Sequence, residues 1–259
     1  MNSDFQLTNR LRKEFASLDD AKGRRRSGLF VAEGTKCILE LAAAFCARYV
    51  FAAPDWIAEN EAAFAGATLI EAAPHTLREL TRLTTTPPAI AFFELPEANA
   101  DFDARPADEL VLALDRIQDP GNLGTILRTC DWMGVRTVVT SRDTVDAFNP
   151  KTVQATMGAL ARVKVVYADL PAWLGNLGDD VPVYGTFLDG KNIYREALGP
   201  AGVLVMGNEG RGISEAVESH VDRRLYIPPY PGDGAVESLN VATAAAIALS
   251  QFRARLMAD

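Results

Sequence analysis

Histidine and cysteine are scarce in this chain, with two of the first and three of the second among 259 residues. His75 and His220 are too few to build an imidazole cage, so no metal centre is expected and any catalysis has to use other groups. Cys37, Cys46 and Cys130 are odd in number and lack Cys-x-x-Cys spacing, which argues against a disulfide framework or a paired-thiol redox site. Cys37 and Cys130 fall in helix-like apolar stripes, and reduced, buried thiols are the expected state. No run approaches the roughly 20 apolar residues that span a bilayer, and residues 1–5 lack the charged-then-apolar layout of a signal peptide. A cytoplasmic protein without a membrane partner is the expectation. The chain also has no G-x-x-x-x-G-K-[ST] phosphate loop, and the glycines of residues 207–212 do not follow the G-x-G-x-x-G spacing of dinucleotide sites. Nucleoside-triphosphate and nicotinamide chemistry are therefore disfavoured.

An excess of positive charge is missing too. The formal net charge is −8, which does not suit a protein that coats nucleic acid non-specifically through clustered lysine and arginine. The N-terminal 26 residues run against that total, because Arg10, Arg12, Lys13, Lys22, Arg24, Arg25 and Arg26 outnumber Asp4, Glu14, Asp19 and Asp20. One reading of this stretch is a solvated helix followed by a charged loop. The other takes Arg24, Arg25 and Arg26 as a compact cluster of planar donors suited to phosphate contacts and thus to RNA.

What is present is a regular alternation of apolar strands with helical patterns. In the first part, helices are expected over residues 5–18, from 35 to about 45, 55–64 and 76–83, with strands at 29–32, 49–53, 68–72 and 90–95. Residues 96–108 have little apolar periodicity and carry flanking prolines, as linkers do. Beyond them, strands at 110–114, 137–140, 163–167, 183–187, 203–206 and 225–227 alternate with helices at 122–133, 150–160, about 173, 213–221 and 238–256. That order implies an α/β fold with a parallel sheet covered on both faces. The expected domains are 1–98, a linker 99–108, and 109–259.

Three segments of the second part carry polar groups where a strand gives way to a helix, which is where α/β proteins meet ligands. In Gln118-Asp119-Pro120-Gly121-Asn122-Leu123-Gly124, Asp119 is placed as an N-cap and Pro120 at the first helical position. Arg128 falls outside the apolar stripe of Leu123, Ile126, Leu127 and Cys130, which suits either a surface salt bridge or a ligand beside the loop. Gly207-Asn208-Glu209-Gly210-Arg211-Gly212 follows a buried run, and its glycines permit close backbone approach to a ligand, although a turn without one has the same composition. Ser238-Leu239-Asn240-Val241 opens the last helix after a proline-rich loop. Ser238 suits an N-cap, whereas Asn240, a mediocre helix former, is harder to explain in that way.

Taken in order, these segments resemble the SpoU family of RNA ribose 2′-O-methyltransferases, within the SPOUT superfamily. Asp119-Pro120-x-Asn122-x-Gly124 with Arg128 resembles its first motif, residues 206–212 its second, and Ile227-Pro228 with Ser238-Leu239-Asn240-Val241 its third. The stretch from Ile227 to Ser238 is longer than the family pattern, with residues 230–233 looking inserted. The first part, with residues 25–28 and Phe30-Val31-x-Glu33-Gly34, resembles the small ribosomal-protein-like substrate-binding domain that many members carry.

The resemblance implies a C-terminal trefoil knot, homodimers whose active sites use both subunits, and S-adenosylmethionine as methyl donor. It places the cofactor near Gly207, Ile227 and Leu239, with the strand end from Thr186 to Leu188 contributing. It assigns the catalytic set to Arg128, Asn122, Glu209, Ser238 and Asn240. Arg24, Arg25 and Arg26 are expected to contact RNA and to share one positive face with the catalytic cleft. The leading domain points to 23S ribosomal RNA as substrate. Transfer RNA with the same chemistry, or a non-catalytic RNA-binding or ribosome-assembly protein, is the alternative.

Overall fold

The computed structural model describes residues 7–97, 104–230 and 238–254. By their contacts these form two units, one from the N-terminal residues to Glu97 together with Asp146–Arg162, the other from the rest.

In the first unit Thr8 caps α1 (Asn9–Ala16), accepting from the Leu11 amide, and the helix passes into a 3-10 turn at Ser17–Asp19. There follow α2 (Ala21–Ser27), β1 (Leu29–Glu33), α3 (Thr35–Ala42), β2 (Ala47–Ala52), α4 (Pro54–Asn60), β3 (Thr68–Glu71), α5 (Pro74–Leu80) and β4 (Ala89–Glu94). The sheet order is β1-β4-β2-β3, with β4 antiparallel to both neighbours and β2 parallel to β3. Phe15 of α1 docks on this sheet, stacked 3.9 Å from the ring of Phe92 and edge-on to Phe51. Burying such rings is worth about 1.5–3 kcal/mol each, so the helix is held by tertiary packing rather than by its own propensity.

The second unit begins with β5 (Leu110–Leu114), α6 (Pro120–Trp132) and β6 (Thr137–Ser141). After α7 (Pro150–Thr156) come β7 (Lys164–Ala168), α8 (Leu170–Gly175), β8 (Val183–Asn192), β9 (Gly202–Met206), α9 (Glu215–Glu218), β10 (Arg223–Tyr226) and α10 (Val241–Ala254). Its strands run β10-β8-β9-β5-β6-β7, and each pair is parallel, as the sequence implied. β5, β6 and β9 are buried at every position, the signature of a sheet covered on both faces. All six carboxyl ends lie on one edge, so the turns after β5, β9 and β10 are gathered there.

Two differences from the sequence reading have clear causes. The α7 segment, read as part of the 109–259 domain, packs within the first unit: Asp146 pairs with Arg24, Phe148 lies 4.9 Å from Phe30, and the Cys37 thiol points at the Val153 carbonyl. Its helix stops at Thr156 because Met157 and Gly158 are left-handed, at φ 52° and 94°. The second concerns the arginine run. Residues 21–27 form α2, and a helix turns successive side chains by about 100°, so three consecutive arginines cannot share a face. Arg24 is 2% exposed and its guanidinium donates to Asp146 Oδ2 at 2.6 and 3.0 Å and to the carbonyls of Leu18 and Asp19. Arg24 is thus corrected from an RNA-facing residue to a structural one, while Arg25 and Arg26 remain exposed.

Cys37 and Cys130 are buried and free, as expected, but Cys46 is exposed, because it lies in the turn before β2 rather than in an apolar stripe. Among the described residues no helix is long and apolar enough to cross a membrane. Residue 98, residues 99–103 of the expected linker and residues 231–237 of the proline-rich loop lie outside the described residues.

Candidate functional site

The turn after β5 is held tightly on both sides. Asp115, 3% exposed, accepts the Ser214 amide at 2.7 Å, and Arg116 adopts φ 59°, a left-handed conformation uncommon for a residue with a Cβ. Its amide donates to Ser141 Oγ at 2.8 Å, and its carbonyl accepts from Asn208 Nδ2 at 3.0 Å. Asp119 then caps α6 as expected, accepting the Asn122 amide at 2.8 Å with Pro120 at the first helical position. The buried stripe of Leu123, Ile126, Leu127 and Cys130 fixes the rotation of α6 and leaves Arg128 exposed.

After β9 the chain makes a small closed turn in which Asn208 and Gly212 exchange backbone hydrogen bonds of 3.0 and 2.8 Å. A Cβ on Gly207 would lie 2.3 Å from both the Gly212 carbonyl carbon and the Ile213 amide nitrogen. The close approach that this glycine permits is therefore to the chain's own backbone. Glu209 is thrown outward from the turn and is exposed.

Here the three motifs meet. Glu209 Oε1 accepts from Asn122 Nδ2 at 2.6 Å, from Asn240 Nδ2 at 2.7 Å and from the Val241 amide at 3.2 Å. Asn240 Nδ2 also reaches Asn122 Oδ1 at 3.0 Å. A carboxylate accepting several N–H groups is a strong, charge-assisted hub, and it orients both side-chain amides. Asn240 is itself the N-cap of α10, its Oδ1 accepting from the amides of Ala242 and Thr243 at 3.0 and 3.3 Å. The cap thus belongs to Asn240, two residues later than the serine suggested by sequence, which explains an asparagine at the start of that helix.

Arg128 and Ser238 stand apart from this hub. Both are exposed, and among the described residues the Arg128 side chain makes no ion pair or hydrogen bond, so the salt-bridge reading of it finds no partner. Arg128 lies six residues beyond Asn122, about 9 Å along the helix axis and on another side of it. Trp132, 87% exposed, follows Arg128 at i+4 on the same face and had no signal in the sequence reading.

The residues assigned to a cofactor lie at the ends of neighbouring strands. β8 and β10 pair at Arg224 with Gly185 and again at Leu225 with Lys191, so residues 186–190 loop out of the ladder. Within that loop Thr186 Oγ1 lies 3.5 Å from Met206 Sδ, which places it beside the end of β9 and hence Gly207. Leu188 is 70% exposed and Leu239 42%, while Ile227, just past β10, is half-buried. Asp115, Arg116 and Asn208 were not singled out from sequence. The spacing of a motif shows which residues recur, whereas the hydrogen bonds that brace them appear only in the fold.

Residues 109–250 match the model of the SpoU rRNA Methylase family, and residues 9–91 that of an MRM3-like substrate binding domain. The chain belongs to the SpoU rRNA methylase family. This SpoU methylase is 40% identical over 172 residues to the 23S rRNA (guanosine(2553)-2′-O)-methyltransferase RlmP of Bacillus subtilis, covering 64% of this chain and 68% of that one. It is 35% identical over 147 residues to the 23S rRNA (guanosine-2′-O-)-methyltransferase RlmB of Neisseria meningitidis, covering 56% of this chain and 58% of that one. The crystal structure of the SpoU methyltransferase AviRb from Streptomyces viridochromogenes, in complex with AdoMet, superposes with a TM-score of 0.83 at 26% identity. That match covers 97% of this SpoU methylase and all of AviRb. The three motif segments all fall within the matched residues 109–250.

Proposed function

We propose that this protein transfers a methyl group from S-adenosylmethionine to a ribose 2′-hydroxyl of 23S ribosomal RNA. The observation that carries the reading is the meeting of Asn122, Glu209 and Asn240, from three segments far apart in sequence, on one carboxylate oxygen. The relatives named above, which are 23S rRNA 2′-O-methyltransferases, supply the substrate class. The same reading puts the protein in the cytoplasm.

The residues present fit the cofactor. Leu188 and Leu239 leave large apolar side chains open near the carboxyl ends of the parallel strands, suited to covering an adenosine, and Thr186 and the backbone at Gly207 and Ile227 offer polar groups beside them. When bound, S-adenosylmethionine supplies an activated methyl group on a sulfonium. The chain's own task is then to hold the ribose hydroxyl in line and assist loss of its proton. Asn122 and Asn240, oriented by Glu209, and the Ser238 hydroxyl frame the target nucleotide. Arg128 supplies the cation: a guanidinium is a donor that proteins do not deprotonate, so its role is to bind the adjacent phosphate and orient the hydroxyl.

This assignment fits a homodimer. Arg128 points along a different side of α6 from Asn122, and Trp132 stands exposed beside it, so this face of α6 is open to a second copy. The first unit is the RNA-binding part, with Arg25 and Arg26 as its phosphate contacts, and the trefoil knot of SPOUT proteins completes the second. The test is methyl transfer from labelled S-adenosylmethionine to RNA from a strain lacking the gene, followed by mapping of the modified nucleotide. A 2′-O-methyl nucleotide in 23S RNA is the expected result. One in transfer RNA overturns the substrate, and none in any RNA, with no cofactor binding, overturns the activity.

A further inference from the structure

We propose that Asn208 is a positioning residue for Glu209, carrying the braced turn after β5 into the direction of the catalytic carboxylate. The inference rests on the methyltransferase reading above. Asn208 uses all of its polar groups within the site: its amide and carbonyl close the turn with Gly212, its Oδ1 accepts from the amides of Gly210 and Arg211 at 3.0 and 3.1 Å, and its Nδ2 donates to the Arg116 carbonyl at 3.0 Å. The peptide unit after Glu209 is therefore pinned to the side chain of the residue before it, and the peptide unit before Glu209 is held by the Gly212 amide.

The far end of this tether is unusually rigid. Arg116 sits at φ 59°, a left-handed conformation that is strained in a residue with a Cβ and persists only where its surroundings over-determine it. Those surroundings are visible: its amide is held by Ser141 Oγ, whose own hydroxyl is 3.0 Å from Thr144 Oγ1, and Thr144 Oγ1 accepts the Ile117 amide. The strained residue thus aims one carbonyl at one side-chain amide. Glu209 is exposed, so beyond the three donors on its Oε1 its direction comes from the turn that bears it. Asn208 joins the segment that supplies Asn122 to the turn that supplies Glu209, two residues that must meet at 2.6 Å.

The test uses the full-length protein and a double-mutant cycle. N208D keeps an acceptor for the Gly210 and Arg211 amides but sets a carboxylate against the Arg116 carbonyl. It is expected to lower kcat for RNA methylation by about tenfold to a hundredfold, the scale of a small misplacement at a reacting centre. KM for RNA and the Kd of S-adenosylmethionine should stay within about threefold. Because Asn208 acts through Glu209, N208D combined with E209Q should be no slower than E209Q alone, whereas independent effects multiply. Multiplying losses, an unchanged kcat in N208D, or loss of cofactor binding in parallel with rate each overturn the inference. If N208D does not fold, N208S, whose hydroxyl is too short to reach the Arg116 carbonyl, replaces it in the same cycle. A wild-type protein that methylates no RNA overturns the underlying reading and this inference with it, while an active wild type with multiplying losses overturns this inference alone.

Discussion

Arg24 and Glu209 each gather partners from distant parts of the chain, one inside the first unit and one at the surface of the second. Arg24 is 2% exposed, and its donors are spent on Asp146 and on two backbone carbonyls that end the 3-10 turn. Glu209 is exposed, and a single oxygen takes two side-chain amides and one backbone amide. Burying a charge is expensive unless it is fully paired, and a group used in that way has nothing left to offer a ligand. An exposed hub costs little to form and contributes little stability, but it sets the direction of neighbouring side chains at a surface that substrate can reach. The first device holds a fold together, and the second is the one that the proposed function uses to organise chemistry.

Substitutions separate the two roles. The largest effect is expected for Arg24→Ala, which takes the donor from the Leu18 and Asp19 carbonyls and the ion-pair partner from the partly exposed Asp146, and should cost about 1–3 kcal/mol. Urea unfolding of the full chain measures it, and a loss below about 1 kcal/mol would make the pair dispensable. Arg128→Ala should leave stability unchanged, since nothing among the described residues pairs with it, and lower methyl transfer by about a hundredfold. A drop in Tm with full activity would reverse that assignment. Asn240→Ala touches both roles: loss of the α10 cap should cost about 1 kcal/mol, and the rate should fall as well because Asn122 and Glu209 lose a shared donor.

Smaller effects sharpen the contrast within α2. Removing Arg25 and Arg26 together should weaken RNA binding severalfold and reduce the salt dependence of affinity by about two counterions, with no change in unfolding free energy. An affinity that does not move would leave the first unit without its assigned phosphate contacts. The thiols give a final comparison. Burial pushes the Cys37 thiol from 9.0 up to about 12 and raises Cys130 further, whereas Cys46 is exposed. Because the folded state keeps those protons longer than the unfolded one, their stabilisation is complete below about pH 9 and is lost as pH rises towards 12. At pH 8 iodoacetamide should label Cys46 alone in the native protein, and labelling of Cys37 would mean that the first unit opens.

Much of the second unit was legible because its signals are local. An apolar run such as residues 110–114, the Asp119-Pro120 start and the Gly134 end of α6 each specify backbone by near-neighbour sterics and hydrogen bonding. The motif order pointed to Asn122, Glu209 and Asn240, and the fold joins all three. The sequence did not show that residues 146–162 pack within the first unit, nor that the helix over 213–221 would shrink to Glu215–Glu218. Both depend on contacts made after the chain has folded back on itself.

By itself, then, the sequence determined the alternation of strands and helices, the parallel sheet and the identity of the residues at its carboxyl edge, because periodicity and capping are short-range. Only the tertiary structure decided which polar groups are spent and which are free. Arg24 and Arg25 are adjacent and chemically identical, yet one is sealed against Asp146 and the other faces solvent. Asn208 and Asn240 likewise differ only in what the fold places within 3 Å of their amides. The energy of a polar group depends on its burial and its partners, and both are properties of the packed chain.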